Sequence, residues 1–277
     1  MGTAKRERQK QGRQARVEAA RVQHQRSQRK KTIRNFAIVL VLIIGAIFFF
    51  SRDTGGDKAS TSTTAQGALF AYGSGPCPAA DGSSTKTIDF TAAPQLCIDP
   101  NRTYTATFDT TEGGVTVALD AKTTPGTTNN FVVLARYHYF DGTTLFRTEP
   151  SIGIIQGGAP HTNSVADPGP GYDLEDEGFD YTALATDPTT GQPTGGPYKY
   201  VAGDLIMARS PRPDGASAQF FFGVDQNVSN LSQAGVYVKF GTTTAGLEVL
   251  QKILGLHQPS GSPSRTVTIN TVTIREV

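Results

Sequence analysis

The chain has 277 residues, 26 of them Lys or Arg and 24 Asp or Glu, which gives a formal net charge of +2 at pH 7. This balance hides an asymmetry, because residues 1–35 carry 12 basic and two acidic residues, whereas the remainder carries 14 basic and 22 acidic ones. The acidic body argues against nucleic-acid recognition, although a basic nucleic-acid arm at the N-terminus is an alternative. Four scattered His and two Cys do not have the spacing of metal ligands, so neither a metal nor a cofactor is expected.

An uncharged apolar run occupies residues 36–50, between Arg34 and Arg52. A helix rises ~1.5 Å per residue, so about 20 residues cross a bilayer, and 33–51 suffice if the flanking arginines reach the headgroups. A cleaved signal peptide is disfavoured by the long basic region, and a buried core helix by the absence of a polar face. We predict a single-pass cell-membrane protein with a cytoplasmic tail (1–32) and an extracytoplasmic C-terminal domain.

The segment after the apolar run has the composition of a linker. Residues 52–76 are mostly Gly, Ser, Thr, Ala and Asp, which predicts a flexible chain with Phe70 and Tyr72 marking where it docks onto the body. Residues 77–102 then form an N-terminal extension that contains Cys77 and Cys97. Two thiols on the predicted oxidising side of a membrane indicate one disulfide, although their spacing alone does not establish the pairing.

Residues 103–277 have the pattern of one mainly β domain. Alternating apolar residues around Glu112-Gly113-Gly114 predict a hairpin over 104–119. Apolar spacing of three and four predicts helices over 125–139 and 245–254. Further strands are expected at 144–147, 152–156, 204–208, 219–224, 236–240 and 267–274. Many short strands with two helices favour a closed or nearly closed β-barrel.

Two loop regions leave alternatives open. Residues 180–200 form a long turn-rich loop, which is either an insertion or a rim of a binding site. The acidic run Asp173, Glu175, Asp176 and Glu177 lacks the spacing of a calcium loop, so a solvated acidic loop is favoured over a cation site.

One guanidinium and two carboxamides stand among apolar and aromatic residues. They belong to Arg147, Gln156 and Gln219, and no nucleophile, metal ligand or phosphate loop accompanies them. Such a set can bind a planar polar group beside an apolar ring but can do little covalent chemistry. An X-Pro peptide bond is a target of this kind.

Six short blocks, in order, resemble the cyclophilin family of peptidyl-prolyl cis-trans isomerases over about residues 104–277. They are N-F-V-V-L at 130–134, Y-F-D-G-T at 139–143, L-F-R at 145–147 with Q-G-G at 156–158, G-D-L-I-M-A at 203–208, S-A-Q-F-F at 217–221 and V-K-F-G at 238–241. Each block alone is weak, but six in the right order are specific.

The resemblance implies a mainly β fold, a closed antiparallel β-barrel of about eight strands capped by two α-helices, and cofactor-free isomerase activity. It implies that Arg147 and Gln156 are catalytic. The substrate-binding residues that it implies are Ile152, Ile154, Met207, Ala208, Gln219, Phe221, Leu231 and Tyr237. The expected partners are proline-containing polypeptides, here exported ones, and the expected state is a monomer.

The chain also departs from the family pattern. Arg147 and Gln156 are nine positions apart, one more than is usual in the family. Arg209 stands where the family usually has Asn, and Tyr237 aligns with a pocket His. These departures leave a second hypothesis open, in which a non-catalytic peptide-binding module or holdase uses the same groove.

Overall fold

The computed structural model describes residues 70–277. The predicted cytoplasmic tail, the predicted transmembrane helix at 33–51 and most of the predicted linker lie outside the described residues. Within 70–277, every helix is too short or too polar to cross a bilayer.

Eleven strands run through the described residues. They are β1 (Tyr104–Thr110), β2 (Gly113–Leu119), β3 (Thr143–Thr144), β4 (Arg147–Glu149), β5 (Ile154–Gly157), β6 (Ala185–Thr186), β7 (Pro193–Thr194), β8 (Asp204–Arg209), β9 (Ala216–Gly223), β10 (Lys239–Ala245) and β11 (Thr268–Glu276). Nine of them form one antiparallel sheet in the order β3-β11-β1-β2-β10-β8-β9-β5-β4, and β6 pairs with β7 separately.

The large sheet curls back towards its own edge. Its edge strands β3 and β4 are separated in the chain by only Leu145 and Phe146, which span at most about 10 Å even when extended. The two edges therefore lie close together, yet among the described residues no ladder joins β3 to β4. The prediction of a closed barrel is corrected to a curled half-barrel, because the chain crosses between the edges instead of pairing them.

Two α-helices occur in the described residues, at the places that the apolar spacing predicts. They are α1 (Pro125–Arg136) and α2 (Leu247–Leu254). Helix α1 ends before the predicted Tyr139, because His138 takes a left-handed φ of 57° that a helix cannot continue.

Helix α1 is capped by a carboxylate from a distant loop. Both oxygens of Glu177 accept hydrogen bonds from its first turn, from Gly126 N and Thr127 N at 2.8 Å each. These amides have no partner inside the helix, and negative charge at this end opposes the positive end of the helix dipole. A buried Glu177 (8% exposed) thus fixes the start of α1.

The other acidic residues of the same run also have protein partners. Asp176 pairs with Arg209 at 2.6 Å, Asp173 with Arg212 at 2.8 Å, and Glu175 accepts from Ala71 N at 3.0 Å. The prediction of a solvated acidic loop holds for Asp173 and Glu175, which are exposed. It is wrong for Asp176 and Glu177, whose carboxylates are taken up by Arg209 and by the backbone amides of α1. Within residues 70–277 no group of three His, Cys, Asp or Glu is arranged to hold a metal ion.

Strand alternation places a cluster of aromatic rings inside the half-barrel. Phe220 and Phe222 of β9 point inwards and contact Phe108, with ring centroids 5.6 and 5.2 Å apart. Phe131 of α1 packs on Phe220 at 5.8 Å and closes the core from the helix side. Phe221, between the two, points to the opposite face.

Residues 70–102 pack against the domain as an ordered extension. The ring of Phe70 lies so close to Gly126 that a Cβ atom at that position would overlap it. Cys97 N donates to Asn129 Oδ1 of α1 at 2.7 Å. The last seven residues of the predicted 52–76 linker are thus part of the packed structure.

Cys77 and Cys97 form a disulfide, with Cα atoms 5.4 Å apart. The pairing that was predicted from the exported topology is confirmed. It closes a loop of sequence separation 20 within the extension.

Candidate active site

The candidate site is built on one row of opposed residues that crosses four strands. Arg147 of β4 faces Gln156 of β5, Gln156 faces Phe221 of β9, and Phe221 faces Ile206 of β8. Opposed residues of antiparallel strands share a face of the sheet. The register alone therefore brings a cation, an amide and an aromatic ring side by side on the face away from the core.

Hydrogen bonds connect the polar members of this face. Arg147 Nη1 donates to Gln156 Oε1 at 2.9 Å, and Gln156 Nε2 donates to Gln219 Oε1 at 2.9 Å. Gln219 Nε2 in turn donates to Val165 O at 3.3 Å, which connects this series of hydrogen bonds to the loop after β5. Each amide is oriented by its neighbour, so the guanidinium is held in one position.

Arg147 keeps one free donor. Its Nη2 atom is buried and has no hydrogen-bond partner among the described residues. Burial lowers the pKa of Arg147, and the Glu149 carboxylate and Tyr237 oppose that shift. An arginine remains protonated at any pH near neutrality, so the site holds a fixed cation whose Nη2 amino group has no hydrogen-bond acceptor among the described residues.

Phe221 and Tyr237 form the aromatic wall of the site. Their ring centroids are 5.5 Å apart at an interplanar angle of 81°, an edge-to-face contact. Burial raises the pKa of Tyr237, and the neighbouring cations Arg209 and Arg147 partly offset the rise. The phenol is therefore neutral at physiological pH.

The apolar residues predicted for the pocket lie in different elements. Ile154 begins β5, Ile152 lies in the turn before it, and Leu231 belongs to a 3-10 helix over Gln226–Gln233. All three are buried and none belongs to the main core cluster. Ile154 lies two positions before Gln156 in β5 and therefore shares the face of the sheet that carries Phe221.

Met207 and Ala208 point in opposite directions from β8. Met207 faces Phe220, is 1% exposed and belongs to the main core cluster, so it lines the interior instead of the predicted groove. Ala208 is half-buried at the end of the strand. The resemblance grouped Met207 with the binding residues because it did not take strand alternation into account.

Arg209 is engaged by residues 176–181, which lead into the turn-rich loop 180–200. Its guanidinium pairs with Asp176 at 2.6 Å and lies 4.3 Å from the ring centroid of Tyr181 and 5.5 Å from that of Phe179. It also donates to Val236 O at 3.3 Å. Arg209 therefore joins the loop to the segment that carries Tyr237.

The sequence missed Ile206 and Val165, which the fold places at the site. Strand alternation could have identified Ile206, because it lies on the opposite face from Leu205 and Met207. Val165 contributes a carbonyl to Gln219 and is 42% exposed. No pattern in the sequence signals a role for Val165.

Comparison with known proteins supports the family resemblance that the sequence indicates. The model of the family described as cyclophilin type peptidyl-prolyl cis-trans isomerase/CLD matches residues 105–274. The chain belongs to the cyclophilin family. That match includes every predicted site residue, from Arg147 to Tyr237.

Individual relatives of this cyclophilin domain are moderately similar. The "Probable peptidyl-prolyl cis-trans isomerase B" of Mycobacterium tuberculosis is 34% identical over 170 residues, which are 59% of this chain and 52% of that protein. The peptidyl-prolyl cis-trans isomerase of Acinetobacter baylyi is 28% identical over 174 residues, covering 60% of this chain and 82% of the relative. The chain thus matches only about half the length of the mycobacterial protein.

A solved cyclophilin from Cryptosporidium parvum is 23% identical and covers 62% of this chain and 98% of its own, with a TM-score of 0.47.

Proposed function

We propose that this cyclophilin is a peptidyl-prolyl cis-trans isomerase whose catalytic cation is Arg147. One observation carries the proposal. Gln156 holds Nη1 of Arg147, while Nη2 is buried, unpartnered and on the same sheet face as Phe221. A proline ring placed against Phe221 would present its amide nitrogen to that free donor.

The reaction needs help only at its barrier. Peptide resonance raises the barrier to rotation about the C–N bond to about 18–20 kcal/mol. The free energies of the cis and trans forms of X-Pro differ by only about 0.5–1 kcal/mol. In the twisted state the amide loses conjugation, and its nitrogen becomes pyramidal and can accept a hydrogen bond. A permanently charged donor stabilises that state over either planar form, which accelerates the reaction.

The remaining site residues position the substrate. Gln156 and Gln219 orient the guanidinium, and a carboxamide can also bond to the peptide backbone. Phe221 and Tyr237 hold the proline ring, with Ile152, Ile154 and Leu231 behind them, while the rest of the amide turns. Each of these roles requires binding and orientation, and none requires transfer of a proton.

The proposed setting is the outer face of the cell membrane. The apolar run at 33–51 and the excess of basic residues before it support a single-pass anchor with a cytoplasmic N-terminus. The disulfide supports an oxidising compartment. Exported polypeptides are then the proposed substrates, met by a monomer held close to where they emerge.

A protease-coupled isomerisation assay with proline peptides tests the activity on the full chain. We expect turnover in the wild type and a loss of about 10²–10³-fold in kcat for Arg147→Ala, as for removal of one transition-state donor. Arg102→Ala, which removes an exposed arginine 3.6 Å from Glu276, is the control and should retain full activity. Activity that survives Arg147→Ala would exclude the mechanism.

A non-catalytic peptide-binding module is the second candidate. The aromatic Tyr237 and the engaged Arg209, at positions where the family usually has other residues, favour it. A wild type that binds proline peptides tightly but shows no turnover in the isomerisation assay would support this candidate.

The topology has its own test. A reporter enzyme that is active only outside the cytoplasm, fused after Val277, should be active in cells. Activity of a cytoplasm-only reporter at the same position would contradict the proposed location.

A further inference from the structure

We propose that Tyr200, in the loop that the sequence marked as an insertion, is a positioning residue for the proline site because it fixes the backbone of Tyr237. This inference rests on the proposed function of the site, to which Tyr237 contributes a wall. It gives the 180–200 loop a role that the cyclophilin resemblance does not assign.

The hydroxyl of Tyr200 serves both polar backbone groups of Tyr237. It accepts from Tyr237 N at 2.8 Å and donates to Tyr237 O at 2.8 Å. The two rings lie 6.4 Å apart edge to face, and Tyr200 is 1% exposed. One buried side chain thus holds one residue of the site at both its N–H and its C=O group.

Tyr237 needs such a partner because it lies outside the sheet. Strand β10 was predicted to start at residue 236, but it starts at Lys239, so the backbone of Tyr237 has no ladder. A buried N–H or C=O group without a partner destabilises the fold. At Tyr237 the hydroxyl of Tyr200 makes the two backbone hydrogen bonds that a neighbouring strand would otherwise make.

The loop is anchored along the same segment by its backbone. Gly195 N donates to Gln233 O at 3.2 Å, Gly196 N to Ala234 O at 2.9 Å, and Tyr198 N to Gly235 O at 3.2 Å. A row of bonds therefore runs beside residues 233–235, immediately before Tyr237.

The close approach of the two backbones requires glycine on both sides. A Cβ atom at Gly196 would overlap Gly235 O, and one at Gly235 would overlap Gly196 O. Gly235 also has a φ of +65°, which favours glycine. The docking of the loop is thus specified by residues in both segments and is not a chance contact of a surface loop.

The side chains of Ser232 and Arg209 complete the support. Ser232 Oγ accepts from Tyr200 N at 3.0 Å, which places the Tyr200 backbone. Arg209 donates to Val236 O at 3.3 Å. The peptide groups before and after Tyr237 are thus held by Tyr200 and Arg209, so the loop sets where the Tyr237 ring meets Phe221.

The experiment compares Tyr200→Phe with Tyr198→Phe in the full chain. Both changes remove a hydrogen-bonded hydroxyl of the same loop, but the Tyr198 hydroxyl donates to Glu177 O at 2.8 Å, whereas that of Tyr200 bonds to Tyr237. We expect Tyr200→Phe to raise KM for a proline peptide about five- to tenfold with a smaller change in kcat, since the wall loosens while Arg147 is untouched. Tyr198→Phe should leave KM within about twofold of the wild-type value.

A fluorescent reporter decides the question independently of activity. The chain contains no Trp, so Tyr237→Trp introduces a single one at the site. Acrylamide quenching of this Trp should increase when Tyr200→Phe is added and stay unchanged when Tyr198→Phe is added. If the wild type has no isomerase activity, the proposed function fails, but the quenching result still supports or overturns the positioning by Tyr200.

Unchanged KM together with unchanged quenching in Tyr200→Phe would overturn the inference. If that variant does not fold, Ser232→Ala replaces it, because it removes the acceptor of Tyr200 N while keeping both rings. A smaller rise in KM and in quenching then supports the inference, and wild-type values of both overturn it.

Discussion

Arg147 and Gln156 are directly opposed on β4 and β5, and the Nη1 atom of the first donates to the Oε1 atom of the second at 2.9 Å. They are nine positions apart in the chain, one more than the family spacing. The ladder closes with Glu149 opposite Ile154, so residues 150–153 form the turn and accommodate the extra residue. The opposition of the cation and the amide is therefore preserved in spite of the insertion.

The first prediction concerns the geometry of the cation. Arg147→Lys keeps the charge but loses the planar fork that lets one nitrogen bond Gln156 while the other remains free. We expect kcat to fall by about 10–100-fold with little change in thermal stability. Steady-state isomerisation and a thermal melt measure the two effects. A lysine variant with wild-type kcat would show that charge alone is sufficient.

The second prediction concerns how much catalysis depends on the positive charge of Arg147. Gln156→Glu would place a carboxylate 2.9 Å from Arg147 and pair with it, which neutralises the cation that the twisted amide needs. We expect kcat at pH 7 to fall by about tenfold or more, and to recover partly on acidification as the new carboxyl is protonated. Gln156→Leu, which loses the bond without adding charge, is the control and should show no such recovery with pH. Equal pH profiles for the two variants would contradict the role of charge.

The third prediction concerns acid stability at the β1–β2 turn. Side-chain hydrogen bonds from Arg265, at 2.7 and 2.8 Å, and from Lys252, at 2.9 Å, lower the pKa of Glu112 to about 2 from an ordinary value of 4.5. A carboxyl with a lowered pKa stabilises the fold fully above its unfolded pKa, and the gain is lost as pH falls through the folded value.

Glu112→Gln should therefore reduce the free energy of unfolding by about 1 kcal/mol at pH 7, a modest value because both cations are largely exposed. The difference from the wild type should shrink between pH 4.5 and pH 2, measured by urea unfolding at several pH values. A difference that stays constant down to pH 2 would mean that Glu112 acts through packing and not through its charge.

The fourth prediction concerns the disulfide of the extension. Closing a loop of sequence separation 20 stabilises a fold by about 3 kcal/mol in the chain-entropy description. Cys77→Ser with Cys97→Ser should lower the unfolding free energy by up to about that amount. It should also expose residues 77–97 to protease, while the folded protein keeps its isomerase activity. Reduction of the wild type should reproduce both effects, and a loss of activity without a loss of stability would point to a direct role in the site.

Local sequence patterns predicted most of the elements but not all of their limits. The hairpin around Glu112 and the two helices follow from alternation and apolar spacing, which are properties of neighbouring residues. The strand predicted at 236–240 begins instead at Lys239. Tyr237, which was predicted to lie in that strand, is held by Tyr200, and a partner 37 positions away leaves no periodic signal.

The site was predictable to the extent that it lies in short motifs. Arg147, Gln156, Gln219 and Phe221 were chosen from residue type and order, and the fold brings them to one face. Met207 was misplaced because motif order does not distinguish the two faces of a strand. Glu177 and Asp176 were misjudged because their partners, Gly126 and Arg209, come from other parts of the chain.

The amino-acid sequence alone indicated the family, one disulfide between the two cysteines, and Arg147, Gln156 and Phe221 as site residues, since each of these depends on residue type and local order. Only the tertiary structure decided that the sheet stays open between β3 and β4, that the acidic loop caps a helix, and that Tyr200 holds Tyr237. The physical reason is that these features depend on hydrogen bonds between residues far apart in the chain, and those partners are set by the packing of the whole sheet.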